Sequence, residues 1–325
     1  MPTGNILIPN IGRKITAVQR KLKLTPEVSP QNFLAKVKAS KHRYYTAAKT
    51  RDGQTVAFYA RLHANSDAQR KFLTEIAVLG RLNRLTAPFA KTVPKLFDHG
   101  RGKDFEWFTR EHVGGLALGH SRQLETKPTA SIARQLSDII AGIGRLEPKK
   151  LGISLPAFNP NFYIIDRQCY GLTQETALPP ATCLGIAHLV EKNHRLLVTE
   201  NRYLSHGDLN LGNIIVENGQ VRIVDWELAQ HNNFAYDIGY LWVHLWQAPR
   251  SFRRQLMTNY LRHLSAAKLV RFRRLLPVVV AFLAIGGIPY RVSPNERRAE
   301  QQRRRRYHIK LLENCLKGFR RLINT

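Results

Sequence analysis

The chain has 325 residues, 43% of them apolar, which is enough core material for one large two-part unit or two domains. Its 51 Lys and Arg outnumber 23 Asp and Glu, giving a net charge of +28 and an isoelectric point near 10.6; this favours anionic partners and says nothing about fold. Cys169, Cys183 and Cys315 have no zinc or disulfide spacing, the N-terminus does not read as a secretory leader, and the longest apolar run, 275–288, is too short to span a bilayer, so a cytoplasmic protein is expected.

Residues 1–30 are basic and punctuated by prolines, with a short helix expected around 14–24. From Gln31 the pattern turns to strands. Runs at 33–37 and 44–50 flank a polar loop, Lys38-Ala-Ser-Lys-His-Arg43, and the Asp52-Gly53 turn leads to a third run at 56–62. Asn65-Ser-Asp67 offers capping residues for a helix in which Phe72, Ile76 and Leu79 share one face. A further strand is expected at 105–113, ending at Gly114-Gly115.

Ile132, Leu136, Ile139, Ile143 and Leu146 are spaced as one helical face over 128–146. Residues 152–182 are rich in Pro, Asn and Gly and have no strong period. Then comes Ser205-His-Gly-Asp-Leu-Asn-Leu-Gly-Asn213, two β-branched runs at 214–216 and 221–224 around Glu217-Asn-Gly-Gln220, and Asp225-Trp-Glu227. Asn-Gly between apolar runs predicts a tight hairpin. Asp208 and Asn213 would lie on the loop entering it, and Asp225 at its exit. Carboxylate, amide and carboxylate at one hairpin mouth suit the holding of Mg²⁺ and the orientation of a hydroxyl.

Helices are expected at 238–246, 252–264 and 275–288. The tail, 291–325, carries eleven basic and three acidic side chains. Ile309, Leu312, Leu316, Phe319 and Ile323 step by three and four along it. Two readings stay open: a basic amphipathic helix on an anionic membrane or nucleic acid, or a last helix packed on the protein.

His206-Gly-Asp208 with Asn213 five residues on, followed by Asp225-Trp-Glu227, resembles the motifs of the aminoglycoside phosphotransferase and choline kinase group. The resemblance implies an α+β, two-lobed, protein-kinase-like fold. Its small, mainly antiparallel-sheet lobe would occupy 31–115 behind an N-terminal extension, its larger helical lobe 116–290, and the basic tail 291–325. It also implies a kinase that uses ATP, or another nucleoside triphosphate, and Mg²⁺ to phosphorylate a small-molecule hydroxyl. Asp208 would be the catalytic base, His206 its brace, Asn213 and Asp225 the metal ligands, and Asp237 a buttress under the loop.

In the smaller lobe the same resemblance asks for a cation on the third strand and a carboxylate on the helix. Arg61 and Glu75 are the candidates, with Lys49 the alternative cation. The first loop has no glycine, so Ser40 and the cations Lys41 and Arg43 would have to replace a glycine-rich phosphate cradle. Glu111 and Val113 match the adenine-contacting hinge. A pseudokinase or binding module is the competing reading, on account of Arg61 and the glycine-free loop. The net charge favours an anionic, sugar-containing or lipid-linked acceptor over a cationic one.

Overall fold

The computed structural model describes residues 11–28, 43–62, 66–120, 123–158, 178–288 and 297–325. The strand expected at 33–37, together with Ser40 and Lys41, lies outside the described residues. The chain divides into two compact units, 1–86 with 93–114, and 87–92 with 115–325.

Among the described residues, the first unit is a five-stranded antiparallel sheet with two helices. Its strands are β1 (Thr25–Pro26), β2 (Arg43–Lys49), β3 (Thr55–Leu62), β4 (Leu96–Arg101) and β5 (Phe105–Glu111), in the order β1-β2-β3-β5-β4. Alternation sorts β3 into two faces. Phe58 and Ala60 point to one, where Tyr44 and Phe105 join them under α1 (Ile11–Lys21). Ile11, Ile15, Val18 and Leu22 form the apolar side of that helix, so the N-terminal segment is a piece of this core. The helix begins three residues earlier than 14–24 because Ile11 opens the stripe. The other face carries Tyr59, stacked on Phe108 at 4.7 Å, with Phe72 of α2 (Ser66–Leu82) against Phe108.

The second unit is mainly helical. It contains α3 (Ala130–Ile143), α4 (Pro180–Thr199), α5 (Tyr236–His244), α6 (Arg250–Arg262), α7 (Ala266–Gly287), α8 (Arg298–Leu316) and the short α9 (Phe319–Leu322). Two small sheets carry the loops of interest. Strand β6 (Leu116–Ala117) pairs with β10 (Ile214–Glu217), which pairs with β11 (Gln220–Ile223); β9 (Tyr203–Ser205) pairs with β12 (Gln230–Asn232). Between β6 and β9 lies a further two-stranded piece, β7 (Gly119–His120) with β8 (Gln123–Leu124). Helix α7 is the central rod, packed by α5, α8 and α4. Gly239 of α5 allows the closest approach: a Cβ there would come within 2.7 Å of the Val279 side chain.

The tail helix packs inward through Arg304, His308, Leu311, Leu312 and Cys315; Leu312 of the stripe read in the sequence is buried as expected, while the buried face is centred one residue earlier. Leu316, expected in the apolar stripe, is 39% exposed. Arg304 is fully buried, and its guanidinium donates to the carbonyl of Gly287, at the end of α7, at 2.8 Å. A buried arginine with a backbone partner takes a place that periodicity assigns to an aliphatic residue.

Candidate active site

In the second unit, β9 delivers the chain to His206-Gly-Asp208, and Asp237 in the first turn of α5 holds that corner. Its carboxylate accepts from Ser205 Oγ at 2.7 Å, from the His206 amide at 2.9 Å and from the Gly207 amide at 3.3 Å. Burial raises the Asp237 carboxyl from its ordinary value, while the electrostatic interaction with the neighbouring His206 and these hydrogen bonds pull it down. Gly207 sits at φ +82°, and a Cβ there would lie 2.0 Å from the Leu228 carbonyl oxygen. No side chain fits between His206 and Asp208.

His206 is wholly buried. Its Nε2 lies 2.9 Å from the Val224 carbonyl, and its Nδ1 lies 3.3 Å from the Asp208 amide. A ring carrying its proton on Nε2 satisfies both, donating to Val224 and accepting from Asp208. The ring packs 4.7 Å from Trp226. His206 therefore joins the Asp208 loop to the exit of the hairpin.

That hairpin forms as expected, with register Ile214↔Ile223 to Glu217↔Gln220. Asn218 at φ +49° and Gly219 at φ +77° make the turn, the positive pair that Asn-Gly adopts at little strain. The Val224 amide donates to the Asn213 carbonyl at 3.0 Å, which places Asp225 next to Asn213. Asp225 itself is left-handed, at φ 66° and ψ 62°. An L-residue there is disfavoured by about 1–2 kcal/mol. Trp226 holds it: the indole is fully buried, and its Nε1 donates to the Ile223 carbonyl at 3.1 Å.

The side chains at this mouth have complementary vacancies. Asn213 Nδ2 donates to the Asp208 carbonyl at 2.8 Å and to Asp208 Oδ2 at 3.3 Å. Asn213 Oδ1 and the Asp225 carboxylate accept no hydrogen bond among the described residues. Hard oxygen donors in this number suit a Mg²⁺ shared with phosphate oxygens. No cluster of three or more His, Cys, Asp or Glu occurs among the described residues, so a cage made wholly of such side chains is not on offer there.

Tyr240 was not singled out in the sequence. It lies three residues after Asp237 on α5, and its hydroxyl donates to Asp208 Oδ1 at 2.6 Å. Spacing alone could have flagged it, since residues three apart on a helix share a face.

In the first unit Arg61 is buried on β3, with Glu106 as its cross-strand partner in the register. Lys49 is exposed at the end of β2, its ammonium bonded to Thr55. Glu75 on α2 meets Arg110, whose Nε lies 3.6 Å away, both side chains being buried. Arg110 also bonds the Tyr59 hydroxyl and stacks over that ring at 5.0 Å. Arg110 is thus one cation that meets Glu75, and in the register it faces Ala57. The Glu111 amide donates to the Lys95 carbonyl at 2.8 Å, and its carbonyl accepts from Arg110 at 3.1 Å. Val113 follows the strand, one residue before the unit ends at Gly114.

Residues 37–272 match the sequence profile of the phosphotransferase enzyme family. No curated protein matches the chain by sequence. Among solved structures, it is similar to an aminoglycoside 2′-phosphotransferase-IIIa in complex with GDP, with TM-score 0.54 and 15% identity over 93% of this chain and 96% of that one. It is similar to an amicoumacin kinase in complex with AMP-PNP, Ca²⁺ and amicoumacin, with TM-score 0.55 and 14% identity over 92% of each chain. It is also similar to a macrolide 2′-phosphotransferase from Brachybacterium faecium, with TM-score 0.50 and 16% identity over 90% of this chain and 95% of that one. At these identities the structures show a common fold, the protein-kinase-like one.

Proposed function

The chain belongs to the phosphotransferase enzyme family, small-molecule kinases that move phosphate from a nucleotide to a hydroxyl, and from that premise we propose how its residues divide the work. Asp208 accepts the proton of the acceptor hydroxyl, and His206 holds the loop that presents it. Asn213 Oδ1 and the Asp225 carboxylate would hold Mg²⁺, which supplies charge neutralisation for the transferring phosphoryl group. Asp237 fixes the loop from below. The observation that carries this reading is the pair of free oxygens, on Asn213 and Asp225, at the mouth of the hairpin beside Asp208.

In the first unit, Arg61, Glu75 and the segment Glu111–Val113 are proposed to bind the nucleotide, with Ser40 and Lys41 contributing from the preceding loop. The burial of Arg61 and the exposure of Lys49 support Arg61 as the cation. Arg110 joins this group through its pairing with Glu75. ATP or GTP would serve, since the fold's relatives are known with GDP and with AMP-PNP.

The acceptor we favour is anionic, sugar-containing or lipid-linked. A protein at +28 repels dispersed cations unless its acceptor pocket is itself acidic. Arg303, Arg306, Lys310, Lys317, Arg320 and Arg321 are exposed on the tail, and a peripheral contact with the cytoplasmic membrane face would put a lipid-linked acceptor within reach. A transfer screen with γ-labelled ATP and GTP tests this, using kanamycin, erythromycin, free and phosphorylated sugars, amino alcohols and lipid-linked sugars. Labelling confined to the cationic kanamycin and erythromycin, with none of the uncharged, anionic or lipid-linked acceptors labelled, would overturn the preference against a cationic acceptor. A binding module without chemistry is the competing reading, supported by the arginine on β3; it predicts nucleotide or vesicle binding with no label transferred to any acceptor or to water.

A further inference from the structure

Helix α5 touches the catalytic loop at two levels, and only one of them is explained by the buttress. Asp237 holds the backbone at Ser205, His206 and Gly207. One turn later, Tyr240 reaches the reacting end of the loop, with its hydroxyl 2.6 Å from Asp208 Oδ1. Asn213 Nδ2 engages the other oxygen, Oδ2, at 3.3 Å. With one donor on each oxygen, the plane of the carboxylate is set, and the remaining lone pairs point in determined directions.

The phenol is itself held. Its ring stacks on His244 at 4.7 Å and 21°, and His244 Nδ1 lies 2.7 Å from the Tyr240 carbonyl, one helical turn on. The helix beneath is clamped at Gly239 against Val279 and at the Trp242 carbonyl, which accepts from the Tyr307 hydroxyl of α8 at 3.0 Å. A donor mounted on so constrained an element is suited to aim a base, because positioning within tenths of an ångström is what transfer to a hydroxyl demands.

With Asp208 read as the base, as above, we propose that Tyr240 is a positioning residue: its hydroxyl orients the Asp208 carboxylate toward the incoming hydroxyl. Tyr240 does not take the proton, which goes to Asp208. The phenol selects the lone pair that receives it.

The test is single-turnover release of phosphate from γ-labelled Mg·ATP and Mg·GTP with water as acceptor. It compares the intact protein with Tyr240→Phe, Asp208→Asn and the double variant. Tyr240→Phe keeps the ring, its stack on His244 and the fold, so the melting temperature and the apparent nucleotide affinity stay near those of the parent. The rate is expected to fall about ten-fold. In the Asp208→Asn background the same change has no further effect, because the hydroxyl acts through the carboxylate. A Tyr240→Phe rate equal to the parent, or losses that multiply in the double variant, would overturn the positioning role while leaving Asp208 as base. If the parent releases phosphate no faster than Asp208→Asn, the reading of Asp208 falls and takes the role of Tyr240 with it.

Discussion

The His206 amide and the Asp237 carboxylate are joined by a hydrogen bond of 2.9 Å between residues 31 apart in sequence, and the corner bearing Asp208 hangs on it. Two more donors, Ser205 Oγ and the Gly207 amide, meet the same buried carboxylate. Asp237→Ala leaves these donors without it in a site water does not reach. Each buried donor left unsatisfied costs about 1–3 kcal/mol. The variant is expected to lose about 3 kcal/mol or more in denaturant unfolding. Asp237→Asn, which keeps an acceptor oxygen, is expected to lose less. Equal stability of the alanine variant and the parent would show that the corner does not depend on this contact.

Gly207 fits because nothing else can. A methyl group there would meet the Leu228 carbonyl at 2.0 Å, in a backbone conformation at φ +82°. The obstacle is backbone, so relief requires the loop to move. Gly207→Ala is expected to lower phosphate transfer by more than ten-fold while the protein still melts cooperatively, at a cost of about 1–3 kcal/mol. A crystal structure or a rate showing the loop undisturbed would argue against such a tight corner.

Arg110→Met should destabilise the first unit. Glu75 is buried, and the methionine fills the space of the guanidinium stem without its charge. Removing one partner of a buried pair costs about 3–5 kcal/mol, and a figure near 3 is expected here. The double variant Arg110→Met with Glu75→Leu should recover most of it. Additive losses in the double variant would mean that the two side chains act independently.

Ending the chain after residue 296 removes α8 and α9 and uncovers the α7 and α4 surfaces on which they pack. The expected result is aggregation or a large fall in melting temperature. Replacing the exposed Arg303, Arg306, Lys310 and Lys317 by glutamine instead should leave the melt unchanged and lower sedimentation with anionic vesicles in a salt-sensitive way. A truncated protein that stays soluble with the parent's melting temperature would contradict the packing role of the tail.

The geometry of the segment 205–227 was legible because its residues are close in sequence and each is needed for a local reason. Asn218-Gly219 makes the turn, Gly207 makes the corner, and the hairpin then carries Asn213 to Asp225. Long-range partners were not legible. Arg110 finds Glu75 across 35 residues and two elements with no local pattern, and Tyr240 finds Asp208 across 32, hinted at only by its place three residues after Asp237. Helix α4 escaped notice because its buried residues, Ile186, Val190, Asn193 and Leu197, include an asparagine and are few for twenty residues. Helix α7 begins nine residues before the apolar run at 275–288, since its first turns are mostly polar or exposed, with Lys268 half-buried over Tyr203 and Phe234, Arg271 paired with Glu200, and Arg273 in solvent. An edge strand such as β4, reading Leu-Phe-Asp-His-Gly-Arg, is mostly exposed and lacks alternation.

The central claim is that Asp208 and Asp225 divide base and metal duties at one hairpin mouth. Isothermal titration of Mg·ATP and Mg·GTP, run with single-turnover phosphate release on the same samples, separates the two. The account predicts that Asp208→Asn binds nucleotide as the parent does but reacts about 10²–10⁴-fold more slowly. It predicts that Asp225→Ala binds Mg-nucleotide much more weakly, with the difference vanishing when Mg²⁺ is chelated. Unchanged Mg-nucleotide affinity in Asp225→Ala, together with an Asp208→Asn rate within a few-fold of the parent, would contradict it.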